Sequence, residues 1–159
     1  MTKILVGSDH AGFGLKDKLK TYLQELGYEV EDKGALEYNE EDDYPDFIIP
    51  LAREISKHPN ELKGIIFGGS GQGEAMAANK FSSVRAAVYY GQGQCVVPED
   101  QESIIKLSRE HNNANILSLG ARFITEEEMK EVVKEWLETP FIEDDRHKRR
   151  IDKMNRIHE

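Results

Sequence analysis

Short apolar runs alternate along this chain with longer stretches in which apolar residues recur every three or four positions. Ile4-Leu5-Val6-Gly7 reads as a strand, and Leu15, Leu19, Tyr22, Leu23 and Leu26 mark one face of a helix that stops at Gly27. The pair recurs: Tyr28-Glu29-Val30 precedes a helix after Pro45, and Gly64-Ile65-Ile66-Phe67 precedes a helix near Glu74 to Lys80. Val84 to Tyr90 leads to a helix around Glu99 to Glu110, and Asn115-Ile116-Leu117-Ser118-Leu119 to a helix from Thr125, a suitable N-cap, to Leu137. A last helix is expected over about 144–158, after Pro140. This alternation predicts an α/β chain with a mostly parallel, five-stranded sheet covered on both faces. The 159 residues suit one domain, 1–159, with no internal repeat or linker to divide it.

Composition narrows the setting. With 38% hydrophobic and 32% charged residues the chain is of the kind that folds in water. No apolar run approaches the ~20 residues needed to cross a bilayer, so no membrane role is expected. The stretch from Met1 to Gly7 lacks the long apolar segment and small-residue cleavage site of a signal peptide, and a cytoplasmic location is expected. Cys95 is the only cysteine, which rules out an intramolecular disulfide or a multi-cysteine metal site. A net charge of −9 argues against a nucleic-acid partner. The charge is uneven, however. Acids cluster at Glu37 to Asp46 and Glu126 to Glu138, whereas Arg146-His147-Lys148-Arg149-Arg150 forms a basic island that suits a small anion.

Sheets of this kind bind ligands beyond the carboxyl ends of their strands. Ser8-Asp9-His10-Ala11-Gly12 and Gly68-Gly69-Ser70-Gly71-Gln72-Gly73-Glu74 follow strands that the fold would bring close, and His111-Asn112-Asn113 lies before the last strand. The second loop has neither the third-glycine spacing of a dinucleotide fingerprint nor the Gly-Lys-Ser/Thr of a P-loop. A plain tight turn would also use glycine. Four glycines within six residues instead favour a cradle in which backbone N–H groups approach an anion. Glu74 falls in the first turn of the next helix, where the macrodipole favours a carboxylate and depresses its pKa. A catalytic Glu74 would then need substrate binding and exclusion of water to become a useful base. Asp9 and His10 fit either an ordinary turn or a ligand-facing pair. His111 is either a capping group or a catalyst of the residue type that titrates nearest neutrality. Arg146 and Arg150, four apart, put two guanidinium forks on one helix face, suited to a phosphate or simply solvated. Lys148 and Arg149 lie off that line and read as surface charges.

The segments S-D-H-A-G, D-Y-P, G-G-S-G-x-G-E, A-A-N-K, R-x-H-N-N, L-G-A-R and R-H-x-x-R occur in this order over nearly the whole chain. In this the sequence resembles the type B ribose-5-phosphate isomerases, a family that also takes in galactose-6-phosphate isomerase subunits and allose-phosphate activity. The resemblance implies a Rossmann-like three-layer α/β/α sandwich and a homodimer, sometimes a tetramer, with active sites at the subunit interface. It implies a small sugar-phosphate substrate and an aldose–ketose isomerisation of ribose 5-phosphate and ribulose 5-phosphate through an enediolate, without metal or cofactor. Many relatives place a cysteine base at the position of Gly68, which cannot act as one. A second branch uses a glutamate, whose position Glu74 occupies. Ser70 matches the hydroxyl that assists proton transfer, and the amides of Gly69, Gly71 and Gly73 would surround the enediolate oxygens. Asp9 would face a sugar oxygen or hydroxyl, His10 the phosphate, and Tyr44 the sugar pocket. His111 would open the furanose ring, usually from the partner subunit, and Asn112 would hold the intermediate. Arg146 and Arg150 would bind the phosphate, with Arg122 a third ligand contributed across the dimer.

Between Tyr90 and the helix leading to His111 the segment from Gly91 to Asp100 is longer than the family pattern, and reads as a lid or an enlarged loop. Cys95 within it is assigned no catalytic role. Two alternatives remain: an isomerase of hexose 6-phosphates such as allose or galactose 6-phosphate, with a pocket one carbon longer, and a non-catalytic sugar-phosphate sensor. The presence of both Glu74 and His111 favours the enzyme. A phospho-acceptor domain would need an aspartate where this chain has Gly68-Gly69-Ser70.

Overall fold

The computed structural model describes residues 2–93, 96 and 102–158. Strands β1 (Lys3–Ser8), β2 (Glu29–Asp32), β3 (Leu62–Gly68), β4 (Ala86–Tyr89) and β5 (Ile116–Gly120) form one five-stranded parallel sheet in the order β2-β1-β3-β5-β4. The helices are α1 (Phe13–Glu25), α2 (Pro45–Lys57), α3 (Gln72–Ala78), α4 (Ile104–Glu110), α5 (Glu126–Glu138) and α6 (Asp145–Asn155). Successive strand residues point to opposite faces, and both faces are dry. Ile4 and Val6 join Leu19 and Leu23 of α1 and Val133 and Trp136 of α5, whereas Leu5 packs with Ile48, Leu51 and Ile55 of α2. This is the three-layer α/β/α arrangement that the alternation and the resemblance imply.

Each predicted element is present. Gly27, at φ +84°, takes the left-handed conformation that ends the first helix, and Thr125 caps α5 by accepting from the Glu128 amide at 3.1 Å. The helix expected from Glu99 is described from Ile104, capped by Ser103; Glu99 to Gln101 lie outside the described residues, as does Cys95. No helix among the described residues is long and apolar enough to cross a membrane.

The strand order turns at β1: the chain moves from β1 outward to β2, then returns to place β3 on the other side of β1. The loops that leave Ser8 and Gly68 therefore diverge to opposite faces and open a crevice at the carboxyl ends of the sheet. Gly12 lets the first loop cross closely over β3, because a Cβ there would collide with the Cβ of Phe67.

A buried ion pair fixes the first helix on this frame. Lys16 is fully buried, and its Nζ donates to both Asp32 oxygens at 2.7 and 2.8 Å and to the Ala35 carbonyl at 2.5 Å; Lys20 adds a bond to Asp32 at 2.6 Å. Burial alone would raise the Asp32 pKa, but the two lysines outweigh it and hold the carboxyl below its ordinary range. Lys16→Ala leaves Asp32 with a weaker set of partners and should cost about 3 kcal/mol of stability. Urea unfolding followed by the fluorescence of Trp136, the only tryptophan, measures this directly.

Candidate functional site

At the end of β3 the chain bends through Gly69 and Ser70, and Gly71, at φ +76°, turns it into α3. The loop is clamped to the end of β5. Ser118 Oγ donates to the Gly71 carbonyl at 2.7 Å, and the amides of Ala121 and Arg122 donate to the carbonyls of Gly68 and Gly69 at 2.8 and 3.1 Å. From the first turn of α3, Glu74 folds back under the loop. A Cβ at position 68 would fall inside its carboxylate, so Glu74 occupies the volume that a side chain at 68 would need.

Glu74 is only 4% exposed, and this reverses the expectation that the helix terminus would leave its pKa depressed. Burial raises the pKa above the ordinary glutamate value; the residue's own backbone amide lowers it, and the nearby negative charge of Asp9 raises it further. Desolvation wins because α3 has only seven residues, while the carboxylate is turned away from water.

The loop after β1 supplies the facing groups. Asp9 is buried, and its Oδ1 accepts from the Ala11 amide at 3.0 Å to cap the short 3-10 turn His10–Gly12. His10 is held by Asp42, whose Oδ1 accepts from the His10 amide at 3.1 Å and pairs with the ring Nδ1 at 2.7 Å. That bond raises the His10 pKa above the ordinary histidine value; burial opposes it, the charges of Asp9 and Asp42 add to it, and Arg122 opposes it. Asp9, His10 and Asp42 are also the one grouping among the described residues whose donor atoms, within 4.8 Å of one another, could gather round a metal ion. The direct Asp42–His10 bond already commits two of those three side chains to each other.

Tyr44 and Arg122 close the crevice over two glycines. A Cβ on Gly73 would stand 2.6 Å from the Tyr44 hydroxyl, and one on Gly69 would stand 3.1 Å from the Arg122 guanidinium carbon. Arg122 therefore lies on the glycine loop of its own chain, where the resemblance had it arriving across a dimer. Ser70 is half-buried in the same loop, its Oγ accepting from the Gln72 amide at 3.3 Å. The structure thus brings together Asp9, His10, Tyr44, Gly69, Ser70, Gly71, Gly73, Glu74 and Arg122.

The remaining candidates form a second group at the other end of the sheet. His111 and Asn112 precede β5, whereas the glycine loop follows β3, and in a parallel sheet these are opposite ends, ~15 Å of strand apart. Arg85, at the entrance to β4, donates its Nε to the carbonyls of Asn112 and Asn113, both at 3.0 Å. The His111 ring stacks on His147 of α6, with centroids 4.3 Å apart and planes 17° from parallel. That contact seats the helix bearing Arg146 and Arg150, both exposed. Two contributors were not singled out in the sequence. Asp42 stood within a run of acids, and its contact with His10 spans 32 positions. His147 read as one of five basic-island residues, though its four-residue spacing from buried Ile151 was a usable signal. Of the segment Gly91 to Asp100, only Gly91 to Gly93 and Val96 lie within the described residues.

Residues 4–154 match the model of the family described as Ribose/Galactose Isomerase. The chain is 39% identical to ribose-5-phosphate isomerase B of Mycolicibacterium paratuberculosis, over 94% of this chain and 87% of that one. It is 36% identical to ribose-5-phosphate isomerase B of Escherichia coli, over 99% of this chain and 97% of that one. The crystal structure of ribose-5-phosphate isomerase B from Mycoplasma genitalium with bound ribulose-5-phosphate superimposes with a TM-score of 0.88 at 35% identity, covering 99% of this chain and 96% of that one.

The strained protonation of Glu74 has a cost that stability measurements read. Its folded pKa lies above the unfolded value, so the stability it permits is fully present below the unfolded pKa and is lost as pH rises through the folded pKa. Glu74→Gln should therefore melt at a higher temperature than the wild type at pH 7, with the gap closing as pH falls below the ordinary value of 4.5. A variant that melts lower at neutral pH would contradict the buried, destabilised carboxylate.

Proposed function

The chain belongs to the ribose/galactose isomerase family, and we propose that it interconverts ribose 5-phosphate and ribulose 5-phosphate as a homodimer in which each active site is shared between two chains. The observation that carries the reaction is the Glu74 carboxylate, desolvated in the volume left by Gly68 and facing the glycine loop. A carboxylate whose pKa burial has raised is better matched to taking and returning a carbon-bound proton near neutral pH.

In this reading the partner's His111 opens the furanose by moving a proton between the ring oxygen and the O1 hydroxyl. Glu74 then removes the C2 proton of the open-chain aldose. The C–H electron pair becomes the C1–C2 double bond, and the carbonyl pair moves onto O1. Amides of Gly69, Gly71 and Gly73 stabilise the charge that develops there, and Ser70 passes the O2 proton to O1. Collapse of the enediolate restores a carbonyl at C2, and protonated Glu74 returns its proton to C1, which completes the ketose. Asp9 and Tyr44 orient the sugar, and the partner's Asn112 holds the intermediate. His10 and Arg122 of one chain, with the partner's Arg146 and Arg150, surround the phosphate.

The polarity of the sheet supports the sharing. One chain carries its base and its ring-opening histidine at opposite ends, so a second copy related by a two-fold axis can join each end to its complement and form two identical sites. Surface for that contact lies beside edge strand β4. A groove lined by Phe81, Arg85, Asn112, Met154 and Ile157 runs there, and Met76 on α3 is 63% exposed.

Purified protein in chelator-treated buffer should convert ribose 5-phosphate to ribulose 5-phosphate, with allose 6-phosphate and galactose 6-phosphate run in parallel. A hexose preference would overturn the pentose assignment, and no turnover of any of the three would leave the sensor. Glu74→Gln should be inactive, as should the double variant His111→Ala/Arg150→Ala. Refolded together in equal amounts they should recover roughly a quarter of wild-type activity, since half of random dimers are mixed and each restores one of two sites. Absence of recovery would contradict the shared site.

A further inference from the structure

We infer that Asp42 is a positioning residue for the phosphate end of the site: it fixes the His10 ring with Nδ1 committed to its carboxylate and Nε2 left to meet the substrate phosphate as part of a charged imidazolium. This rests on the assignment of His10 to the phosphate proposed above.

The geometry is that of a chelate. One oxygen, Asp42 Oδ1, takes both the backbone amide of His10 at 3.1 Å and the ring Nδ1 at 2.7 Å, so main chain and ring are locked together. A separation of 2.7 Å falls in the charge-assisted range. The Asp42 side chain is 8% exposed whereas that of His10 is 26% exposed, which buries the carboxylate and leaves an edge of the imidazole open to the crevice. Tyr38 meets the ring edge-on, with centroids 6.4 Å apart, and restricts its swing. With Nδ1 engaged, the second ring nitrogen is the one that can donate to an anion, the same division of roles by which a carboxylate orients a catalytic or metal-binding histidine.

The charges around His10 favour the imidazolium on balance. Asp42 and Asp9 favour the imidazolium and Arg122 opposes it, so two carboxylates face one guanidinium. Among the described residues Asp42 Oδ2 is buried without a hydrogen-bond partner, so this carboxylate's described bonds all go to His10. The sign follows: His10 titrates above the ordinary histidine value, so its positive charge persists to higher pH than that of a histidine without the carboxylate. Removing the Asp42 charge should return the ring toward its ordinary pKa, so the two proteins differ in ring charge above that pKa, while below about pH 6 both carry the imidazolium.

Asp42→Asn separates charge from shape, because the amide oxygen can still accept both bonds. In this variant the His10 pKa, followed by NMR of the imidazole nitrogens, should fall. KM for ribose 5-phosphate and the inhibition constant of inorganic phosphate should rise roughly tenfold near pH 8 and converge on wild type below pH 6, with kcat changed less than about threefold. In a His10→Gln background the same substitution should add nothing to the pH dependence. An unshifted His10 pKa, or a KM raised equally at every pH as for a mere loop anchor, would overturn the inference. If the wild type turns over no sugar phosphate, the isomerase assignment fails, while the His10 titration and its coupling to inorganic phosphate binding still decide the role of Asp42.

Discussion

The buried carboxylate of Glu74 and a side chain at position 68 would need the same space, so the two positions hold one functional group between them. Glycine at 68 lets the first turn of α3 tuck its glutamate beneath the loop, away from water and close to Asp9. Burial and a like charge then act together against ionisation, and they outweigh the few amides of a seven-residue helix. The resemblance describes two branches, with a cysteine at one position or a glutamate at the other. Steric exclusion gives that choice a physical basis, since a cysteine at 68 would displace this glutamate from its pocket.

Around that carboxylate the glycines have distinct tasks. Gly71 supplies a left-handed turn, Gly69 makes room for the Arg122 guanidinium, and Gly73 for the Tyr44 ring. The clamp from β5 to the loop fixes the backbone amides before any substrate arrives, which is what stabilisation of a developing oxyanion requires. The parallel sheet imposes a second constraint. It delivers loops from β1, β3 and β5 to one end and His111 with α6 to the other, and no rotamer change bridges a strand's length. In the proposed dimer, association rather than folding completes the site, so that activity and assembly depend on one interface.

Much of this was legible in the sequence, for a physical reason. Strand and helix periods, a capping threonine and a terminating glycine are local signals, and among the described residues the five strands and six helices lie where those signals put them. The glycine loop was legible too, as was the presence of a carboxylate in the next turn. What could not be read were contacts between distant segments. Nothing in the acidic run separates Asp42 from Asp43, and the bond to His10 exists only because the crevice at β1 folds that run back over the loop. The raised pKa of Glu74 is illegible for the same reason: a helix terminus is visible in sequence, while the desolvation that overrides it depends on how the side chain packs. The resemblance implies an Arg122 contributed across the dimer, whereas one bond from its amide to the Gly69 carbonyl ties it to the loop of its own chain.

In the proposed reaction Glu74 moves the carbon-bound proton. The most direct measurement of this transfer is the incorporation of solvent deuterium at C1 of ribulose 5-phosphate, followed by NMR in D2O at saturating substrate. Steady incorporation is expected from the wild-type protein and none above background from Glu74→Gln, although the variant still binds the sugar phosphate. Exchange by Glu74→Gln at the wild-type rate would contradict that role, and would place the base elsewhere in the crevice.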